Sequence, residues 1–267
     1  VKQNIPFVTV PDVFSEQYEE GLLGVAFPPD YTINHFVYFY ANIITPANEH
    51  KSEVIRYTVK TDLSGNIVAE PGSKKTILEI PDNAANHVSG HLKFDSVGNL
   101  YITTGDNFNG QNSEDIRTLL GKMLRITPLA TPDANGNLYS IPPTNIFLSS
   151  SDRTIKKEIY AYGLRNAFSF DLNPLTGQLY SDDTGSYRYE EVNDLTTPEN
   201  YGCPVYEGPV DGNPQNVLNY RNPIFWYPHY GENATDYKIV AITGGVFYNG
   251  EIFPSKYKGA YFFGDYG

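Results

Sequence analysis

The sequence has little of several residue types and patterns, and each shortage excludes a class of protein. Cys203 is the one cysteine among 267 residues, which excludes an internal disulfide and a cysteine-based zinc site. No run of about 18 apolar residues occurs, so no segment is predicted to span a bilayer. Lysine and arginine number 19 against 31 aspartates and glutamates, giving a formal net charge of -12. This charge opposes binding to nucleic acids and to anionic membranes.

Several catalytic motifs are also missing. The sequence contains neither G-x-G-x-x-G nor G-x-x-x-x-G-K-[ST], the glycine-rich signatures of nucleotide binding, and it has no G-x-S-x-G elbow of serine hydrolases. No EF-hand loop is present, since Phe108 stands where the acidic segment 106–115 would need Asp or Asn. The chain starts without a basic-then-apolar leader, so we expect any export signal to lie outside this sequence.

Aromatic and turn-forming residues are abundant, with 22 Tyr, 15 Phe, 23 Gly and 19 Pro. This composition predicts one all-β domain over residues 1–267. Glu114 to Ile126 has apolar residues at helical spacing, but Gly121 interrupts them, so we expect a short helix or turn followed by a strand. Little regular structure is expected over 198–236. Strands are predicted at 6–10, 21–27, 35–43, 54–59, 76–80, 158–162, 168–172, 177–181, 239–248 and 259–264.

One pattern recurs along the chain: a polar turn, then an aromatic strand, then a small or acidic exit. It occurs at 34–42, 98–106, 177–185 and 259–267, the second copy reading GNLYITTGD. Repeated units of short antiparallel strands are typical of a β-propeller, although any all-β chain with many tyrosine-bearing turns could echo in this way.

Two clusters could carry acid–base or anion chemistry. His87 lies in a small-residue turn next to Asn86 and close to Gly90, where a ligand could approach, so it is either a base or a hydrogen-bonded turn residue. Its spacing from His91 is that of a helical zinc pair, but the turn residues between them argue against a helix. Arg165 and Asn166 follow a predicted strand and suit an anionic or quinone oxygen, or alternatively an anchored loop.

Two acidic, glycine-containing loops could supply oxygen ligands to calcium, at 182–191 and 200–208. A solvated acidic surface is the alternative. The sequon at Asn233 is the single glycosylation signal.

Nine segments, taken in order, resemble the glucose/sorbosone dehydrogenase family, the soluble sugar dehydrogenases that use pyrroloquinoline quinone (PQQ). The resemblance covers nearly the whole chain and implies the family's six-bladed β-propeller. The matching segments are GLLGVAFPPDY from Gly21, HVSGHLKF from His87, GNLYITTGD from Gly98, GKMLRI from Gly121, YGLRNAF from Tyr162, EEVNDL from Glu190, NYGCPVYEG from Asn200, TGGVFYNG from Thr243 and YFFGDYG from Tyr261.

The resemblance implies PQQ- and calcium-dependent oxidation of aldose sugars at C1. His87 matches the family's general base, and Arg165 with Asn166 matches the pair that contacts PQQ, with Asn86 beside them. Gly185 and Ser186 match the loop whose carbonyls hold the calcium that polarises PQQ. Glu207 is predicted to serve a structural calcium. An exported protein, periplasmic or extracellular, with an external electron acceptor is expected.

Departures from the family pattern favour other functions. Ser89 replaces a glycine, Ala167 a proline and Cys203 a tryptophan. The family also has blade material before and after the matched region, so this chain is expected to be an incomplete ring of four to five blades. Either the chain was trimmed, or the sequence is part of a longer polypeptide, or partner segments complete the ring. The alternatives are a non-catalytic propeller that binds proteins or glycans, as hedgehog-interacting proteins do, and a calcium-rigidified component of an extracellular assembly.

Overall fold

The computed structural model describes residues 3–15, 19–82, 84–212, 214, 216–229 and 240–267. Sixteen strands and three short helical turns lie in these ranges, so the all-β prediction is confirmed. The helical turns are α1 (Tyr31–Asn34), α2 (Gln111–Glu114) and a 3₁₀ turn at Ser255–Tyr257. The strands are β1 (Leu22–Ala26), β2 (Phe36–Ile44), β3 (His50–Thr61), β4 (Ile67–Ala69), β5 (Lys75–Pro81), β6 (Leu92–Phe94), β7 (Leu100–Thr104), β8 (Lys122–Pro128), β9 (Tyr139–Ser140), β10 (Ile159–Tyr162), β11 (Ala167–Leu172), β12 (Leu179–Asp183), β13 (Tyr189–Asp194), β14 (Phe225–Pro228), β15 (Ile242–Phe247) and β16 (Tyr261–Asp265).

The strands form four sheets, each an antiparallel meander. The first has the order β1-β2-β3-β4 with β5 also paired to β3, and the second has the order β10-β8-β7-β6 with β9 on β8. The third is β11-β12-β13-β14, and the fourth is the pair β15-β16. Strands near the start of each sheet pack against the next sheet: β1 packs against β6, and β11 packs against both β7 and β15. Successive sheets along the chain are therefore neighbours in space.

The recurring sequence pattern corresponds to a structural repeat. Its four copies contain β2, β7, β12 and β16, and each of these is the second strand of its sheet, paired with the strand before it. β2, β7 and β12 each have a paired strand on both edges, whereas β16 pairs with β15 alone among the described residues.

The core lies mainly between neighbouring sheets. Tyr38 and Tyr40 of β2 pack with strands of the second sheet, whereas Val37 and Ile43, which point to the opposite face, pack against the N-terminal segment. A strand covered on both faces is apolar throughout, which explains the solid aromatic centre of β2. The N-terminal segment 6–10 contributes apolar side chains without forming the strand predicted for it, and that prediction is wrong.

The prediction of a helix or turn followed by a strand at 114–126 is confirmed as a turn and a strand: residues 115–121 form turns and bends, and β8 begins at Lys122. The short helix α2 ends at Glu114 and so precedes this segment. The buried Lys122 side chain organises this segment, because its Nζ donates hydrogen bonds to the carbonyls of Asn112, Ser113 and Leu120 at 2.6, 2.9 and 2.7 Å. Within 198–236, β14 was not predicted. The sequon at Asn233 lies outside the described residues, as does the first residue of the strand predicted at 239–248. None of the described helices is long and apolar enough to cross a membrane.

Candidate functional site

Loops from the second and third sheets converge on one cavity of about 410 Å³. Backbone hydrogen bonds join these loops: Asn107 N–H donates to His87 O at 3.2 Å, Asp106 N–H to Arg165 O at 2.7 Å, and Thr184 N–H to Asn166 O at 3.2 Å. The turn before β6, the exit of β7, the start of β11 and the exit of β12 therefore form one connected rim. His87 and Arg165 both line the cavity, together with Asp106, Phe108, Glu191 and Glu207.

The imidazole of His87 is held between a carboxylate and a guanidinium. Its Nδ1 lies 2.6 Å from Oδ1 of the buried Asp106, and its Nε2 lies 2.9 Å from Nη2 of Arg165. A guanidinium can only donate hydrogen bonds, so Nε2 must accept. The proton of the neutral ring is then on Nδ1, where Asp106 accepts it. This assignment gives His87 the tautomer that a general base needs, with its Nε2 lone pair directed at Arg165 on the cavity wall.

Arg165 is fixed at both ends. Its Nη1 donates to Thr184 O at 2.9 Å, and its backbone N–H donates to Asp183 Oδ2 at 2.9 Å. The side chain is half-buried, and its guanidinium is part of the cavity wall. A cation held in this way is suited to an anionic oxygen placed next to His87.

The turn that carries His87 is strained and is held by Glu19. His87 and Ser89 have φ values of 57° and 50°, in the left-handed region that non-glycine residues rarely adopt. Glu19 Oε2 accepts from the His87 N–H at 2.9 Å and from Asn166 Nδ2 at 3.1 Å. Gly105 makes room for the turn, because a Cβ there would lie 1.8 Å from His87 O. The turn is therefore fixed from two sides.

Asn166 and Asn86, both predicted to contact the cofactor, are not among the residues that line the cavity. Asn166 is buried, its backbone N–H donates to Asp183 Oδ1 at 2.7 Å, and its side chain contacts Glu19. Ser89, which departs from the family pattern, donates from Oγ to Asn166 Oδ1 at 2.8 Å. The added hydroxyl is thus accommodated by a hydrogen bond to the amide.

Besides Asp106, three carboxyl groups line the cavity. Burial raises the pKa of Asp183 to about 6, against two backbone N–H groups that lower it. Burial and the nearby Asp183 raise the pKa of Glu191 to about 8. Burial also opposes ionisation of Glu207, but hydrogen bonds from four backbone N–H groups outweigh it and bring its pKa below the ordinary value. The cavity is rich in carboxyl groups, and among the described residues that line it Arg165 is the one arginine or lysine.

Gly185 and Ser186 lie on the cavity wall in the loop between β12 and β13, as the family pattern predicts for a calcium site. Among the described residues, no group of three or more His, Cys, Asp or Glu side chains is arranged to hold a metal ion. A cation at this place would depend on backbone carbonyls. Calcium at Gly185, Ser186 and Glu207 remains a prediction.

Sequence reasoning did not identify three residues of the site: Asp106, Glu19 and Phe108. Asp106 follows the end of β7, and His87 precedes the start of β6. Because β6 and β7 are antiparallel neighbours, these two strand ends meet at one edge of the sheet. The sequence therefore held a signal that Asp106 lies near His87. Phe108 has a φ of 61°, is 68% exposed, and its ring centroid lies 4.9 Å from that of His87. No local sequence pattern indicates the contact of Glu19 with residues so distant in the chain.

Cys203 also lines the cavity, at the position where the family has a tryptophan. Burial raises the pKa of its thiol, and Asp183 raises it further. The thiol is therefore protonated at neutral pH and is a poor nucleophile.

The geometry defines a class of protein: an all-β scaffold with a loop-lined cavity in which a carboxylate-oriented histidine faces a fixed arginine. The chain belongs to the glucose/sorbosone dehydrogenase family, whose family model matches residues 2–265.

Sequence relatives include proteins with and without a dehydrogenase name. The chain is 29% identical over 308 residues to HIPL1 protein of Arabidopsis thaliana, covering 95% of this chain and 44% of that protein. It is 28% identical over 158 residues to hedgehog-interacting protein of Mus musculus, covering 55% of this chain and 22% of that protein. The chain thus spans less than half the length of either relative.

The solved structures that match this chain include two aldose sugar dehydrogenases. The soluble aldose sugar dehydrogenase of Escherichia coli in the apo form matches with a TM-score of 0.76 and 25% identity, covering 98% of this chain and 70% of that one. The PQQ-bound aldose sugar dehydrogenase of Streptomyces coelicolor matches with a TM-score of 0.64 and 27% identity, covering 84% of this chain and 58% of that one. These neighbours are β-propellers.

Proposed function

We propose that this protein oxidises aldose sugars at C1 with PQQ and calcium. The observation that carries the proposal is the placement of His87 between Asp106 and Arg165 on the wall of one cavity. A base, the group that orients it and a fixed cation are the three groups that removal of a hydroxyl proton next to an electron acceptor requires.

The residues present fit PQQ. The cavity volume of about 410 Å³ falls within the range of about 300–1,000 Å³ that is usual for cofactor sites. Arg165 offers a guanidinium to the anionic oxygens of a quinone ligand, and Phe108 offers an exposed aromatic face. When bound, PQQ supplies the acceptor for the hydride that leaves C1 of the sugar. Arg165 then stabilises negative charge on the ligand oxygen next to it.

His87 removes the proton from the C1 hydroxyl through Nε2. In the structure this atom accepts a hydrogen bond from Arg165, so the sugar hydroxyl must replace that guanidinium contact before proton transfer. A bound anion would favour the exchange, because Arg165 could turn its Nη2 donor from His87 to the ligand. Asp106 meanwhile holds the Nδ1 proton and stabilises the imidazolium that forms.

Calcium is proposed at the carbonyls of Gly185 and Ser186. Calcium prefers oxygen ligands, and hydrogen bonds from described residues occupy neither of these two carbonyl oxygens. A divalent cation here would also offset the excess of carboxyl groups on this wall and would allow an anionic cofactor to enter. The six-bladed ring, its completion by further segments, export and an external electron acceptor belong to the same proposal.

A second candidate is a non-catalytic propeller that binds a protein or glycan. It is favoured by an exposed aromatic pair, Phe225 of β14 and Phe263 of β16, each of which is more than a third exposed. The rings of Phe225 and Phe263 lie 5.4 Å apart. Contiguous apolar surfaces of this kind often mark interaction sites. The relation to hedgehog-interacting protein supports the same candidate.

Reconstitution with PQQ and calcium distinguishes the dehydrogenase from the non-catalytic propeller. Full-length protein supplied with PQQ and calcium should reduce a dye when an aldose is added, and His87→Ala should lose this activity while still binding PQQ. Dye reduction by His87→Ala at the wild-type rate would remove His87 from the mechanism. If the second candidate is right, PQQ should leave the melting temperature unchanged, because a ligand stabilises only the state that it binds.

A further inference from the structure

Glu207 makes a concentrated set of contacts that a metal-ligand role does not explain. Its Oε1 accepts hydrogen bonds from four consecutive backbone N–H groups in the loop between β12 and β13. The donors are Ser186 at 2.9 Å, Tyr187 at 3.0 Å, Arg188 at 2.8 Å and Tyr189 at 3.1 Å. Consecutive N–H groups that point inwards form a concave site for an anion, and here a side-chain carboxylate of the same chain fills it.

The arrangement determines where the carbonyls of this loop point. In a trans peptide unit the C=O and the N–H point in opposite directions. The N–H groups of Ser186 and Tyr187 point to Glu207, so the carbonyls in the same peptide units, those of Gly185 and Ser186, point away from it. These are the two carbonyls proposed to hold calcium.

Gly185 and Glu207 depend on each other. A Cβ at Gly185 would lie 1.7 Å from Tyr189 O and 2.7 Å from Glu207 Oε1, so the loop can close around the carboxylate only with glycine at this position. The segment that carries Glu207 is anchored in turn, since Gly208 N–H donates to Glu191 Oε1 and Gly208 O accepts from Tyr220 at 2.9 Å. The carboxylate therefore approaches the loop from a fixed segment.

We propose that Glu207 is a positioning residue: its carboxylate holds the loop 185–189 so that the carbonyls of Gly185 and Ser186 are presented to a hard divalent cation. This inference rests on the proposed function for the identity of the cation, but the ordering of the loop is independent of it. A charged acceptor is needed because one oxygen serves four donors, and hydrogen bonds to an ionised group are about twice as strong as neutral ones.

Hydrogen exchange tests the ordering of the loop without any cofactor. In calcium-free protein, the amides of 186–189 should exchange at least about tenfold faster in Glu207→Ala than in wild type, since exchange follows the free energy of local opening. Glu207→Gln, which keeps the shape and one neutral acceptor, should fall between the two. Asp133→Ala is a matched control, because Asp133 accepts from the N–H groups of Asn135 and Asn137 in a turn outside the cavity lining. Unchanged exchange at 186–189 in Glu207→Ala would overturn the proposal and would leave a direct role as calcium ligand.

Calcium titration by calorimetry tests whether the loop held by Glu207 presents its carbonyls to the cation. Loss of an outer-sphere partner costs about 10- to 100-fold in metal affinity, and we expect that loss in both Glu207 variants and none in Asp133→Ala. Equal calcium affinity in wild type and in both Glu207 variants would contradict the presentation of the carbonyls. Absence of calcium binding by wild-type protein would instead reject the calcium part of the proposed function, while the exchange result would still decide the role of Glu207 in the loop.

Discussion

The contact between His87 and Asp106 gives the sharpest test of the catalytic site. Asp106→Asn keeps the size of the side chain and removes its charge. The hydrogen bond from His87 Nδ1 to Asp106 Oδ1 is 2.6 Å long and buried, and Oδ1 also accepts from Phe108 N–H at 2.9 Å. An asparagine can place its oxygen towards these donors, or it can place its amide towards His87.

The two orientations give different magnitudes. If the oxygen faces His87, a charge-assisted hydrogen bond becomes a neutral one, which costs about 1–1.5 kcal/mol and lowers kcat by about tenfold. If the amide faces His87, Nδ1 must accept, and the ring proton moves to Nε2, against the Arg165 guanidinium. The base is then lost, as in the Asp-to-Asn change of Ser-His-Asp enzymes, where kcat falls by about 10⁴.

The assay is steady-state dye reduction by the PQQ- and calcium-loaded protein, with PQQ affinity measured separately. We expect kcat to fall by at least about tenfold and PQQ affinity to stay near the wild-type value, because Asp106 acts through His87. Asp115→Asn is the control, since Asp115 is an exposed carboxylate near α2 and outside the cavity. A kcat for Asp106→Asn within about threefold of wild type would refute the orienting role.

Two further predictions concern ionisation in the core and the cavity. Burial raises the pKa of Asp182 from 3.8 to about 6. The stability that this group contributes is therefore fully present below about pH 4 and is lost as pH rises through about 6. The variant Asp182→Asn cannot ionise, so it does not lose this stability as the pH rises. The free energy of unfolding of the variant minus that of wild type, measured by urea titration, should therefore rise by up to about 3 kcal/mol between pH 4 and 7. A difference that stays constant over this range would contradict the raised pKa of Asp182. The Cys203 thiol, whose pKa burial raises, should react far more slowly with a disulfide reagent at pH 8 in native than in unfolded protein, and equal rates would show that it is accessible.

Local features of the fold could be predicted from the sequence where each strand carries its own pattern. The second strand of each sheet was found from its turn, its aromatic centre and its small exit, because those features are local. The segment 6–10 was predicted wrongly as a strand, since its apolar side chains pack against β2 without a backbone ladder. β14 was not predicted because the turn residues around it dominate the composition of 198–236.

Residues of the site could be predicted from the sequence where they lie in segments that match the family pattern. His87 and Arg165 were identified and the structure places them in contact. The role of Asn166 as a partner of Glu19, rather than a cavity wall, depends on packing between residues 147 positions apart. The concave site of four N–H groups around the Glu207 carboxylate likewise forms from two loops that are separate in the sequence. Contacts of this kind have no local pattern.

The central claim is that His87 and Arg165 line one cavity that binds PQQ. Calorimetric titration of PQQ into calcium-loaded protein tests it most directly, with Arg165→Met as the comparison and Arg117→Met, an exposed arginine outside the cavity, as the control. The account predicts binding by wild type and by the control, and an affinity lower by about 100-fold in Arg165→Met, in line with the loss of a charge-assisted contact of about 3 kcal/mol. Equal affinity in wild type and Arg165→Met, or no binding by wild type, would contradict it.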